Sequence, residues 1–176
     1  MATLRVGISA CLLGQEVRYD GGHKRDPILV DVLGKEVTWV PVCPEVEAGM
    51  GTPREPADLV RDGRRVRMIG VETGADYTET IEQFTAKRLD ELETEELDGY
   101  VFKSDSPSCG IAQVRVRQPD GRVTKTGDGL FAAALEKRMP SLPVEDERRL
   151  QDPAVRRRFL ARVLAYHERE ALRRER

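Results

Sequence analysis

The sequence predicts an α/β fold: a single domain of three layers, built on a mainly parallel, doubly wound (Rossmann-like) sheet and ending in a basic C-terminal helix. Short apolar runs alternate along the chain with longer amphipathic segments, which is typical of strand–helix–strand units. The chain has 176 residues, 39% of them hydrophobic. This length suits one hydrophobic core and leaves little room for a second.

Four core strands are predicted from the apolar runs. They lie at residues 4–9, 37–42, 99–103 and 142–144. Runs of this kind, apolar on both faces, are typical of buried parallel strands. Two weaker pairs of strands flank the turn signals Asp62-Gly63 and Asp120-Gly121, and each pair is predicted to form a hairpin.

Helices are predicted between the strands. They cover about 28–33, 77–97, 128–139 and the segment from Pro153 onward. Asp26 precedes the first helix as a cap and Gly34 ends it. In the last segment Val155, Phe159 and Val163 recur at helical spacing, which indicates an amphipathic helix.

Charge divides the chain into two parts, which we take as an α/β domain at 1–150 and a basic helix at 151–176. Residues 152–176 carry 8 arginines against 4 acidic residues, which leaves 21 basic against 27 acidic residues elsewhere. An acidic body argues against a DNA-binding protein. No stretch approaches the roughly 20 apolar residues of a membrane span, and the N-terminus lacks the shape of a secretory signal. A cytoplasmic location with no membrane partner is expected.

Three cysteines, Cys11, Cys43 and Cys109, each follow a predicted strand. An odd number of distant cysteines without a secretion signal argues against a disulfide framework. The carboxyl ends of parallel strands share one edge of a sheet, where ligands bind by default. We therefore expect the three thiols to converge there, although isolated buried cysteines are also common in cores.

Three kinds of chemistry suit such a group of thiols. Zinc held by the cysteines and His23 is one. A single nucleophilic cysteine is another, but it needs a base, and only His23 and His167 are available as histidines. An iron–sulfur cluster with three cysteine ligands is the third, and it leaves one iron open to substrate.

Several short motifs occur in a specific order over residues 4–144. They are Ser9-Ala10-Cys11-Leu12-Leu13-Gly14, Val17-Arg18-Tyr19-Asp20-Gly21, Cys43-Pro44-Glu45, Thr52-Pro53-Arg54 and Ser106-Pro107-Ser108-Cys109-Gly110. This ordered set resembles the thiouracil/thiouridine desulfidase family. The resemblance implies a [4Fe–4S] cluster held by Cys11, Cys43 and Cys109, with the fourth iron taking the sulfur of a thiocarbonyl base. It also implies that Glu45 and a serine, which we assign to Ser106, act as catalytic residues.

Neighbouring polar residues are candidates for binding the substrate. Lys103, Ser104 and Asp20 lie beside the expected crevice. Ser104 and Ser108 are also close enough to Ser106 to be alternatives for the catalytic serine. The arginines at 18 and 54 suit a phosphate group if the substrate is a nucleotide.

The resulting hypothesis is an iron–sulfur-dependent, non-redox desulfidase that hydrolyses thiolated uracil bases or nucleotides, replacing C=S by C=O and releasing sulfide. The C-terminal segment resembles the junction to an RNA-associated domain in longer family members, so thiolated transfer RNA is an alternative substrate. A zinc-stabilised RNA-binding module without catalysis is an alternative from another class. A metal-free redox thiol protein is a third.

Overall fold

The computed structural model describes residues 3–176 and contains eight strands and four α-helices in that range. The strands are β1 (Leu4–Ser9), β2 (Val37–Val42), β3 (Ala57–Asp62), β4 (Arg65–Gly70), β5 (Gly99–Phe102), β6 (Val114–Arg117), β7 (Val123–Gly127) and β8 (Val144–Asp146). The helices are α1 (Pro44–Glu47), α2 (Thr78–Thr94), α3 (Leu130–Arg138) and α4 (Pro153–Arg174).

The central sheet has the order β2-β1-β5-β8, and all its neighbouring strands run parallel. Side chains alternate across it. Val6, Ile8 and Val101 form one buried cluster with the inner face of α4. Tyr100 and Phe102 form another with α2 and α3 on the opposite face. The three predicted layers are therefore confirmed, with helices covering both faces of a buried parallel sheet.

A second sheet, which the sequence does not predict as a unit, has the order β4-β3-β6-β7. It consists of the two predicted hairpins, joined by parallel pairing of β3 with β6 in which Leu59 lies opposite Val116. The description of the sheet as mainly parallel therefore applies to the central sheet alone. Ile81 of α2 packs into the apolar face of the second sheet.

The segment after Asp26 differs from the predicted helix. It forms a single π-helical turn at Ile28–Val32 followed by a 3₁₀ turn at Leu33–Lys35. The Asp26 carboxylate accepts hydrogen bonds from the backbone N–H groups of Ile28 (2.9 Å) and Leu29 (3.1 Å), so the predicted cap is present.

The long C-terminal helix α4 begins where the sequence predicts. Its Asp152 cap accepts a hydrogen bond from the Ala154 N–H at 2.8 Å. Phe159 and Val163 are buried against β5, where a Cβ atom at Gly99 would lie only 2.9 Å from the Val163 side chain. Within the described residues, no helix combines the length and apolar character needed to cross a membrane.

Candidate active site

A cavity of about 450 Å³ opens at the carboxyl edge of the central sheet. The loops that follow β1, β2 and β5 form most of it, and the start of β3 adds a wall from the second sheet. All three cysteines line this cavity, as the sheet-edge argument predicts. Charged and hydroxyl side chains also line the cavity, among them Arg18, Glu45, Arg54, Lys103, Ser104, Ser106 and Ser108.

The three cysteines are free thiols and sit in an environment of low solvent access. Burial raises the pKa of Cys11 to about 11 and the pKa of Cys109 to about 12. Burial also raises the pKa of Cys43. Thiols in such surroundings stay protonated unless a cation compensates the negative charge of the thiolate. A bound metal is such a cation.

The loop before Cys109 is fixed by its own backbone and by Ser106. The Ser106 Oγ accepts a hydrogen bond from the Cys109 N–H at 3.0 Å, and the Ser106 carbonyl accepts one from the Gly110 N–H at 2.9 Å. Gly129, at the start of α3, packs directly against the Ser108–Cys109 peptide. The position of this thiol is therefore set by backbone contacts and by the Ser106 hydroxyl.

Glu45 lies in α1, directly after the strand that leads to Cys43. Its Oε2 accepts a hydrogen bond from the Ser108 Oγ at 2.9 Å, and its Oε1 lies 3.4 Å from the Arg54 Nε. The Glu45 and Arg54 side chains are only 13% and 7% exposed. Both carboxylate oxygens thus have partners, and the group is held as an oriented acceptor at the cavity wall.

The serines form a directed line of hydroxyl groups. The Ser106 and Ser108 Oγ atoms lie 3.1 Å apart. A serine has one hydroxyl hydrogen, and Ser108 gives its hydrogen to Glu45. Ser106 is therefore the donor to Ser108, and the line runs from Ser106 through Ser108 to Glu45.

Lys103 and Ser104 are tied to Glu147, a residue that the sequence analysis does not single out. The Ser104 N–H and Oγ donate to the two Glu147 carboxylate oxygens at 2.8 and 2.5 Å. The Lys103 Nζ lies 3.0 Å from the Glu147 Oε1. Burial opposes ionisation of Glu147, but the Ser104 hydrogen bond and the Lys103 charge together lower its pKa. In the sequence, the only sign of a role for Glu147 is that it is acidic and lies shortly after a predicted strand, inside a short charged run.

Two other candidates lie away from the cavity. Asp20 is exposed, and its Oδ1 accepts a hydrogen bond from the Gly22 N–H at 2.9 Å within a turn. His23 is also exposed, and its Nδ1 accepts a hydrogen bond from the Arg25 N–H at 3.1 Å. Neither residue contributes to the cavity lining. Their side chains serve the local turns of the loop that follows Cys11.

The donor set of the cavity fits an iron–sulfur cluster. Across residues 3–176, no three His, Cys, Asp or Glu side chains lie close enough together to hold a single metal ion. The three cysteines nevertheless face one cavity, and cysteine thiolates are the ligands of iron–sulfur clusters.

A parallel sheet with thiols, a carboxylate and hydroxyl groups in a cavity at its carboxyl edge is the arrangement of an α/β enzyme. The comparisons with known proteins define the class further. The family model described as 2-thiouracil desulfurase matches residues 6–147. The chain therefore belongs to the 2-thiouracil desulfurase family, and the resemblance found in its motifs is confirmed. Family membership also favours an enzyme over a zinc-stabilised binding module.

Two individual proteins are similar over most of the chain. The uncharacterized protein YbbK of Bacillus subtilis (strain 168) is 33% identical over 135 residues, which are 74% of this chain and 88% of YbbK. The solved structure of the [4Fe–4S]-dependent thiouracil desulfidase TudS superposes with a TM-score of 0.69 at 33% identity. That match covers 87% of this chain and 97% of TudS.

Proposed function

We propose that this protein hydrolytically removes sulfur from thiolated uracil bases or nucleotides, converting C=S to C=O and releasing sulfide. The observation that carries the proposal is the meeting of Cys11, Cys43 and Cys109 in one cavity with the paired side chains of Glu45 and Ser108. The [4Fe–4S] dependence of TudS, which has the same fold, supports the cofactor.

The three cysteines would hold a [4Fe–4S] cluster through their thiolates. When bound, such a cluster supplies a Lewis-acidic iron without a protein ligand, which favours sulfur and polarises a C=S bond. Loading requires the three thiols to lose their protons, and their burial makes this unfavourable without metal. Cluster binding should therefore release protons.

Glu45 is the proposed general base. Its carboxylate accepts a proton from water as the water oxygen bonds to the ring carbon. Arg54 and Ser108 fix the two carboxylate oxygens, so the group does not have to reorient during the reaction. As the new C–O bond forms and the C–S bond breaks, sulfur leaves as sulfide, and no net electron transfer occurs.

The hydroxyl line offers a route for the proton. Once protonated, Glu45 becomes a donor and the direction of the line reverses. Glu45 then donates to Ser108, Ser108 to Ser106, and Ser106, at the cavity wall, donates to the ring or to the departing sulfur. Ser106 thus remains the proposed serine that touches substrate. Ser108 connects it to the base and has no solvent exposure of its own.

Anaerobic reconstitution tests the proposal. Iron and acid-labile sulfide should each approach about four per chain. Sulfide release should then be measured side by side on 2-thiouracil, 4-thiouridine monophosphate and thiolated transfer RNA. A protein that takes up no iron, or that carries a cluster and releases sulfide from none of the three, contradicts the proposal.

Matched variants separate the roles. Cys11→Ser should lose the cluster or bind it weakly. Glu45→Gln should keep the colour and iron content but lose sulfide release by about a hundredfold or more, as expected for a general base. Glu16→Gln, which changes an exposed acid outside the cavity lining, is the control. Equal activity of the Glu45 and Glu16 variants would remove Glu45 as the base.

Transfer RNA remains a second candidate substrate because of the outer face of α4. Arg157, Arg158 and Arg162 are exposed there. Contacts of such arginines with phosphates weaken steeply as salt rises. A transfer RNA substrate therefore predicts a salt-dependent KM that the small thiolated compounds do not share.

A further inference from the structure

Glu147 follows β8, the fourth strand of the central sheet, and lies behind two residues that line the cavity, Lys103 and Ser104. Its carboxylate is mostly buried and receives hydrogen bonds from both the backbone and the hydroxyl of Ser104. The same carboxylate pairs with Lys103 at 3.0 Å. The Lys103 Nζ also donates to the Ser104 carbonyl at 2.7 Å.

These contacts hold the ammonium group in one place. The Lys103 backbone N–H donates to the Ser9 Oγ at 2.9 Å, so the residue is fixed at both ends. Its side chain is 20% exposed and lines the cavity. A lysine on a flexible stem normally samples many positions, and a buried partner removes that freedom.

Lys103 lines the same cavity as Cys11, Cys43 and Cys109. A second buried cation of the cavity, Arg54, is held by Glu45 much as Lys103 is held by Glu147. Lys103 thus brings a positive charge, held in position by Glu147, to the cavity that the three thiols line.

We infer that Lys103 is a fixed positive charge facing the metal centre and that Glu147 is a positioning residue that holds it there. The inference rests on the proposed function, because three thiolates and a departing sulfide would bring negative charge into a cavity of low solvent access. A nearby ammonium ion stabilises that charge. Net charge and hydrogen bonding around an iron–sulfur cluster also set its reduction potential.

The first test is potentiometry of the reconstituted holoenzyme under anaerobic conditions. Lys103→Met should shift the midpoint potential of the cluster to a more negative value, because a cation near the centre favours its reduced form. Lys103→Arg keeps the charge and should stay near the wild type. Lys125→Met removes the same charge from the exposed strand β7 and is the matched control.

The second test asks whether Glu147 acts through Lys103. Glu147→Gln should lower kcat by about tenfold, the order expected for losing one charge-assisted contact, while KM changes by no more than about twofold. In the Lys103→Met background the same substitution should have little further effect. Thermal unfolding of each variant identifies any that does not fold.

The outcomes distinguish a failure of the proposed function from a failure of the inference about Lys103 and Glu147. A wild-type protein that takes up no cluster overturns both the proposed function and this inference. A loaded cluster whose potential is the same in Lys103→Met as in Lys125→Met overturns the inference alone. Additive effects of Glu147→Gln and Lys103→Met on kcat overturn the positioning role of Glu147.

Discussion

The substitution Gly129→Ala tests how the loop of Cys109 is held, because Gly129 packs directly against that loop. Gly129 has φ −61° and ψ 151°, a conformation that alanine adopts without strain. A Cβ atom there would nevertheless lie 2.4 Å from the carbonyl carbon and oxygen of Ser108 and 2.7 Å from the Cys109 nitrogen. All three are backbone atoms, so no side-chain rotation can relieve the contact.

The size of the effect of Gly129→Ala follows from these distances. An ordinary contact begins at 3.4 Å, so the methyl group requires about 1 Å of separation between α3 and the loop. Such overpacking costs about 1–3 kcal/mol. It also strains the bonds that the N–H groups of Phe131 (3.0 Å) and Ala132 (3.1 Å) donate to the Ser108 carbonyl. For a chain of this length, about 2 kcal/mol corresponds to a fall in Tm of roughly 4–8 °C.

The assay is thermal unfolding of the apoprotein combined with iron analysis after reconstitution. Gly129→Ala should lower Tm and reduce the iron bound per chain, since the displaced peptide carries Cys109. Gly22→Ala is the control, because its nearest neighbour is the movable end of the Asp20 side chain at 3.2 Å. If the two variants match in Tm and iron content, the backbone contact does not fix this thiol.

Two other predictions concern stability. Phe159→Ala should cost about 3–5 kcal/mol in urea unfolding because the ring is fully buried, whereas Leu172→Ala, whose side chain is 61% exposed on the same helix, should change stability by no more than about 0.5 kcal/mol. Hydrogen bonds from Thr73 and Tyr77 lower the pKa of Glu55 to about 2 from 4.5, so its contribution to stability is present above pH 4.5 and lost as the pH falls toward 2. The Tm difference between wild type and Glu55→Gln should shrink over that range, and a constant difference would refute the assignment.

Local patterns predict the central sheet well, because each buried strand has its own apolar run. The meeting of Cys11, Cys43 and Cys109 follows from a rule of parallel sheets and needs no knowledge of distances. The pairing of β3 with β6 has no such local sign, since it joins two hairpins that are distant in sequence. The second sheet was therefore missed even though both hairpins were predicted.

The polar part of the site depends on side-chain directions, which the sequence does not encode locally. The motif around residues 104–108 offers three serines of equal chemistry, and only the fold distinguishes them. Ser104 faces Glu147, whereas Ser108 faces Glu45. Glu147 itself is indistinguishable in the sequence from its acidic neighbours, because its importance comes from burial beside Lys103.

The two hairpins enter the chain at separate points, one between β2 and α2 and the other between β5 and α3. The first hairpin contributes Ala57, and Pro56 just before it, to one wall of the cavity, whereas the thiols belong to loops leaving the central sheet. The segments that carry the cysteines and the segment that forms this wall of the cavity are therefore separate in the sequence. Insertions or new side chains at the start of the first hairpin would therefore change which molecules the cavity admits and leave the sulfur atoms in place.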